Sequence, residues 1–499
     1  MSAPLSPSGE RPSRSARFPR ALIAVTAATL AVRLVVGAHV HLTEDEAYYR
    51  LWSFAPALGY YDHPPMVAWW IWLGRQILGD TAVGVRLIPI LANALTTTLV
   101  FDLARMVGAN RQTAIRAGIW FNAMLLVGAG GLLAVPDAPA SLFWTTCLWC
   151  ALKAEKRNST LWWLAAGCAA GLACLSKYSG LFLAPGMLLW LASAPERRAR
   201  LRSPGPWIAA AAALLIFGLN LVWNAQHDWL TFAKQFGRVA GDGLAIQHLP
   251  EFLVGQALLL NPLMAPFLYG AWGAQNGSPA RAINLSSIIA TSAPFVAYLL
   301  IHSLHARVEA HWPAPIYPAI AICAAVGAEQ LGGKKGWRAL RAWVPVFGFV
   351  LCGLFAIALI LPARWWPRTF DPGLPVQGWP AFVSELNQAR SATGARWIGT
   401  LSYGLTAELS DEPREPAPVF QLNERARYNG LASAQPDFSR PGLIAELPRR
   451  VDLAILRRCF VTVQPLGFLA RGVRGGASVR YWLVLVEGPR RPIARLGCS

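Results

Sequence analysis

The sequence predicts a mainly α-helical, polytopic membrane protein of about 11 transmembrane helices, followed by a small C-terminal α/β domain. Three observations lead there. Hydrophobic residues make up 55% of the 499 and charged residues only 14%, well below the roughly 25% charged of soluble domains. Long apolar runs recur from Ala21 to Leu361, and mean hydropathy is +0.38. Beyond Leu361 the composition turns mixed, with turn signals such as Asp371-Pro-Gly373 and short β-like runs at Arg396–Thr400, Leu453–Leu456 and Tyr481–Val486.

The elements follow in order. Residues 1–20, rich in Ser, Pro and Arg, read as a disordered tail. Ala21–Val40 reads as an uncleaved first helix: it is long for a signal peptide, contains Arg33 and lacks a small-x-small exit. Further spans are predicted near 86–106, 115–134, 138–153, 160–175, 179–194, 206–223, 252–272, 283–302, 313–331 and 342–362. Met66–Gly79 is apolar but short and Trp-rich, which suits a helix lying in the membrane interface.

Charge placement orients this bundle. With the amino terminus inside, the basic loops Arg105–Arg116, Lys153–Arg157, Glu196–Arg202, the stretch around Arg281 and Lys334–Arg341 all fall in the cytoplasm. The opposite loops, His41–Pro65 (within a first outer loop 41–85), Pro136–Asp137, Ser176–Tyr178, Asn224–Glu251 and His302–Trp312, hold most of the membrane-proximal Asp, Glu and His. The net charge of +19 therefore orients the chain and meets anionic lipid, and nucleic acid is not indicated. An odd span count puts 363–499 in the periplasm of a bacterial inner-membrane protein. There Cys459 and Cys498 either pair or remain separate thiols. The other six cysteines lie in apolar spans and read as core residues.

Acids at a membrane surface cost free energy unless solvated or paired. Two outer-loop segments concentrate them: Thr43-Glu-Asp45-Glu46-Ala-Tyr-Tyr49 and Gly59-Tyr-Tyr61-Asp62-His63-Pro-Pro65. A solvated loop with acids at a helix start explains them structurally; a catalytic site explains them functionally. Lys177 is either a lysine snorkelling at a helix end or a point charge for phosphate. Asp137, ahead of Ala-Pro139, suits an N-cap. Asn224, His227, Asp228 and Trp229 form another outer cluster, with Trp229 an interfacial anchor or a sugar platform. No metal-ligand spacing stands out, and no cofactor is predicted.

The ordered series TEDEAYY, GYYDHPPMVAWW, DTAVGVRLIPIL, VPDAPASLFW and LSKYSGL resembles the GT-C membrane glycosyltransferases. The likeness is to the branch of protein O-mannosyltransferases, lipid A aminoarabinose transferases and rhizobial galacturonosyltransferases, over roughly residues 20–320. It implies a GT-C fold and transfer of a sugar from an undecaprenyl- or decaprenyl-phosphate donor to a periplasmic glycolipid, polysaccharide or protein. It places the catalytic base at Asp45, with Glu46 beside it, and a basic residue in the late outer loop at Arg307 to hold phosphate. Glu309 would orient Arg307, and His311 would contact sugar or phosphate, although a structural histidine is the commoner case. Tyr61, Asp62, His63, Asp137, Asn224 and His227 would wall the site. The aminoarabinose branch carries Glu-Lys before the prolyl pair, where this chain has Asp62-His63, so sugar preference does not transfer. A polyprenyl-lipid flippase is the alternative, since it too needs buried charge and many spans.

Overall fold

The computed structural model describes residues 19–237, 243–274, 284–331, 333, 335–361, 371–411, 417–428, 430–431, 436–472, 477–493 and 498. The tail read from residues 1–20 falls almost wholly outside them, as do the basic stretch around Arg281 and Lys334.

The chain begins with α1 (Arg20–His39), α2 (Glu44–Trp52), α3 (Met66–Leu78), α4 (Ala82–Met106), α5 (Arg111–Asn122), α6 (Leu125–Gly128), α7 (Asp137–Arg157) and α8 (Thr160–Ser176). It continues through α9 (Leu183–Ala192), α10 (Pro195–Arg198), α11 (Pro204–Gln226), α12 (Leu230–Phe236), α13 (His248–Leu259), α14 (Phe267–Ala274), α15 (Ser286–His302), α16 (Tyr317–Leu331) and α17 (Lys335–Ile360). Each predicted span coincides with a helix or a broken pair of helices.

The count of 11 crossing helices needs correction. Among the described residues five helices are long and apolar enough to cross a membrane: α1, α4, α11, Ala314–Leu331 and α17. The pair Arg111–Asn122 and Leu125–Leu132 makes a sixth if its 66° bend lies within one span. Apolar runs overstate spans because a core helix can be equally apolar and shorter, as with Thr160–Ser176 and Ser286–His302. The run predicted at 252–272 is broken at Asn261, whose φ of +83° ends one helix before α14 begins. Asn261 donates from Nδ2 to the carbonyls of Ala123 and Val344, at 3.2 and 2.9 Å, and so pins the break to neighbouring elements.

The C-terminal part holds α18 (Trp379–Ala392), β1 (Trp397–Thr400), α19 (Tyr403–Asp411), β2 (Val419–Gln421), β3 (Gly442–Glu446), α20 (Leu453–Cys459), β4 (Phe460–Gly472) and β5 (Ser478–Pro489). Its five-stranded sheet has the order β2-β1-β3-β5-β4, with β1 parallel to β2 and β3 and the β3–β5–β4 arm antiparallel. The β-like run at Leu453–Leu456 is helical instead, because Asp452 caps it by accepting from the amides of Ala454 and Ile455. A disulfide joins Cys459 to Cys498.

The two parts meet over an aromatic cluster. Tyr48 and Trp52 of α2, Tyr60 of the loop that follows and Val67 and Ile71 of α3 pack with Ala407 and Tyr428 of the C-terminal part, all buried. This contact positions the site.

Candidate active site

The segment between α1 and α3 is built to hold acids in fixed directions. Thr43 caps α2: its Oγ1 accepts from the Glu46 amide at 3.3 Å, and Glu46 Oε2 accepts from the Thr43 amide at 3.0 Å. Glu46 then turns inward onto Arg86 of α4, which grips it through Nε–Oε1 at 2.8 Å and Nη2–Oε2 at 2.6 Å. Both side chains are fully buried. Arg86 also donates to the carbonyls of Gly37, Val40 and His41 and so closes the end of α1. Burial opposes the Glu46 charge, but the Arg86 guanidinium outweighs it and holds the carboxyl below its ordinary range. Glu46, expected beside the base, therefore points away from the cavity and ties α2 to α1 and α4.

Asp45 is one residue earlier, about 100° round the helix, and lines a cavity of about 720 Å³. Its Oδ1 accepts from the Tyr403 hydroxyl of α19 at 2.7 Å. Burial pushes its carboxyl above the ordinary value, partly offset by that hydrogen bond and by His311.

The second acidic segment is shaped by stacking. Tyr60 lies flat on Trp52, with ring centroids 4.3 Å apart, and its hydroxyl donates to nearby loop carbonyls. Asp62 accepts from the Tyr48 hydroxyl at 3.0 Å and from Arg427 of the C-terminal part. Asp62 and His63 both line the cavity. Tyr61 lies outside its lining, with the Lys234 and Arg427 cations over its ring.

Lys177 forms the C-cap of α8, and its Nζ donates to Asp137 Oδ1 at 2.7 Å. His311 Nε2 stands 3.9 Å from the other Asp137 oxygen. Burial, followed by the competing fields of Asp137 and Lys177, leaves the His311 imidazole below its ordinary value, which favours the neutral ring. Lys177, Asp137, His311 and Glu309 all line the cavity.

Besides Glu46 and Tyr61, three further expected residues are not brought there. Arg307 is exposed and outside the lining, so the late loop presents Glu309 and His311 but not its arginine. Asn224 is buried behind Lys177, donating to Asn220 and Tyr178. His227 stacks on Trp223 with centroids 4.0 Å apart, at an exposed position. Both lie on the last turns of α11, where one face packs on the bundle and the other is open.

Sequence reasoning missed Tyr403 and Arg427, which reach the cavity from the C-terminal part. Their sequence surroundings carry no recognisable pattern, and the only signal was their type, an aromatic donor and a bidentate cation.

The lining also has an apolar component: Phe121, Leu126, Val127, Leu133, Phe182 and Phe295. One cavity thus offers carboxylates, a lysine and an arginine together with hydrocarbon surface. A phosphorylated head with a long apolar tail has that polarity.

Comparisons with known proteins agree with this geometry. A family model described as dolichyl-phosphate-mannose-protein mannosyltransferase matches residues 62–223. Lipid A galacturonosyltransferase RgtD of Rhizobium johnstonii is 28% identical over 323 residues, 64% of this chain and 66% of that protein. The undecaprenyl phosphate-α-4-amino-4-deoxy-L-arabinose arabinosyl transferase of Pectobacterium carotovorum is 25% identical over 359 residues, 66% of this chain and 63% of its own length. The matched region spans just under two thirds of these curated relatives. The crystal structure of ArnT from Cupriavidus metallidurans bound to undecaprenyl phosphate superposes with a TM-score of 0.63 at 14% identity, covering 93% of this chain and 97% of that one. At that identity the likeness is one of fold. In sequence the chain is similar to these glycosyltransferases, and in fold it is similar to ArnT, in keeping with the resemblance that its ordered motifs carry.

Proposed function

We propose that the chain is an inverting glycosyltransferase that moves a sugar from a polyprenyl-phosphate donor to an acceptor at the periplasmic face of the inner membrane. Asp45 takes the proton from an acceptor hydroxyl or amine as that group attacks the anomeric carbon. The bond from that carbon to the phosphate oxygen breaks, and the electron pair leaves with the polyprenyl phosphate. Lys177 meets the charge on the departing phosphate, and Asp137 holds the lysine in place. A single displacement inverts the anomeric centre, and no second carboxylate nucleophile is required.

One observation carries this reading: Asp45 and Lys177 open into the same cavity, which also has Phe121, Leu126, Val127, Phe182 and Phe295 in its lining. The named relatives are transferases, which favours transfer over transport. The named relatives act on lipid A or use an undecaprenyl-phosphate-linked sugar, so a lipid A-type glycolipid leads the acceptor classes, ahead of a polysaccharide or protein. The same reading puts residues 1–20 in the cytoplasm, the GT-C body at 21–362 and the segment 363–499 in the periplasm.

Mass spectrometry of envelope lipids and glycoproteins from a deletion strain tests it. A glycosyl unit missing from one acceptor class, restored by the wild-type chain, is the expected outcome. Asp45→Asn should restore transfer at about 10²–10⁴-fold lower rate while still binding undecaprenyl phosphate. Full restoration by Asp45→Asn would remove the base from this scheme.

A further inference from the structure

We propose that Tyr403, supplied by the C-terminal part, is a positioning residue for Asp45, so that the active site is completed by two parts of the chain far apart in sequence. This rests on reading Asp45 as the base. The hydroxyl of Tyr403 donates to Asp45 Oδ1 at 2.7 Å across a sequence separation of 358 residues. Both side chains line the cavity.

Tyr403 is itself held on several sides. Its backbone carbonyl accepts from the Tyr428 hydroxyl at 2.7 Å. The Arg427 guanidinium lies over its ring, 4.6 Å from the centroid. The Tyr48 ring of α2 packs on it at 5.1 Å. The next residue, Gly404, lets α19 come close enough: a Cβ there would stand 2.3 Å from Glu44 Oε2 and 2.9 Å from Glu44 Cβ. The phenol is thus delivered to the carboxylate by a helix contact that is close at Gly404, where an added side chain would displace Glu44.

The chemistry of the contact has a direction. Burial and the neighbouring carboxylate keep the Tyr403 phenol protonated far above neutral pH, so it is always a donor. A donor to a carboxylate favours the ionised form. Asp45 also faces Glu44, Glu46 and Tyr49 on its own helix, Asp62 on the following loop and His311 before α16. Among these, Tyr403 is the one that hydrogen-bonds the carboxyl. It fixes which way the carboxylate points and counters the cost of burying its charge.

Difference infrared spectroscopy of the purified full-length chain in lipid nanodiscs, scanned through pH, reads this directly. The carboxyl band absent from Asp45→Asn reports Asp45. Tyr403→Phe should move its midpoint upward by about one pH unit, the value of one charge-assisted hydrogen bond, and Tyr403→His, which keeps an N–H donor, should return part of the shift. Where Tyr403→Phe does not accumulate, Gly404→Ala displaces α19 and gives the same readout. An unmoved midpoint overturns the proposal. It leaves the role of Asp45 standing, since that role is judged by turnover and not by this band.

Discussion

Asp45 and Glu46 are adjacent acids on one helix turn, yet the fold gives them opposite environments. Glu46 is held by Arg86 and the cap of α2, while Asp45 faces the cavity with the Tyr403 phenol as its donor among the described residues. Removing one partner of a fully buried pair strands the other charge, at a cost of about 3–5 kcal/mol. Arg86 also satisfies three carbonyls at the end of α1, so an apolar replacement of both partners cannot recover everything. Arg86→Met is therefore expected to lower thermal stability in detergent sharply, with turnover per folded molecule little changed. A selective loss of turnover at wild-type stability would instead place the Glu46–Arg86 pair in the chemistry. The presence of an acid cluster was legible because carboxylates beside apolar spans need a reason. That Asp45 is the acid at the cavity followed from the family resemblance alone and not from the residue pattern. It depends on a 100° step round α2 and on a partner 40 residues away.

Among the elements, the α8–α11 pair does most to fix Lys177. Gly167 and Gly171 sit four apart on α8, on one face. A Cβ at Gly167 would stand 2.1 Å from the Ala209 carbonyl oxygen, and one at Gly171 would stand 2.7 Å from Ile216 Cβ. This small-residue face lets the helices approach closely. Lys177 caps α8, and the next residue, Tyr178, donates to Asn220 of α11 at 2.9 Å. Gly171→Leu should push the helices apart, costing about 1–3 kcal/mol, and should weaken undecaprenyl phosphate binding by moving the lysine. Parallel stability and binding assays check this, and unchanged binding would uncouple the helix contact from the site. The spans were readable as apolar runs, but their lengths were not. Burial between helices and exposure to lipid select the same residues, so Thr160–Ser176 looks alike in either role. The helix at Leu453–Cys459 was misread as strand because its cap, Asp452, lies outside the apolar run.

At the scale of the whole molecule, the C-terminal part is seated on α2 and the loop that follows it and reaches into the site. Arg427 reaches the cavity, which Arg307 does not, and bonds Asp62 across 365 residues. No local pattern announces a contact at that distance, and for that reason this half of the site stayed hidden. The cavity brings together acids, histidines and Lys177 that the sequence singled out and Phe and Leu residues of the apolar runs. The central claim is that one cavity holds both the proton acceptor and the carrier phosphate. Equilibrium binding of undecaprenyl phosphate to the purified chain and three variants tests it most directly. Lys177→Gln should bind at least about tenfold more weakly, the loss of one charge-assisted contact, whereas Asp45→Asn and the exposed Arg307→Ala should bind as the wild type does. Wild-type affinity in Lys177→Gln, or a loss confined to Arg307→Ala, would place the phosphate elsewhere and contradict the proposed site.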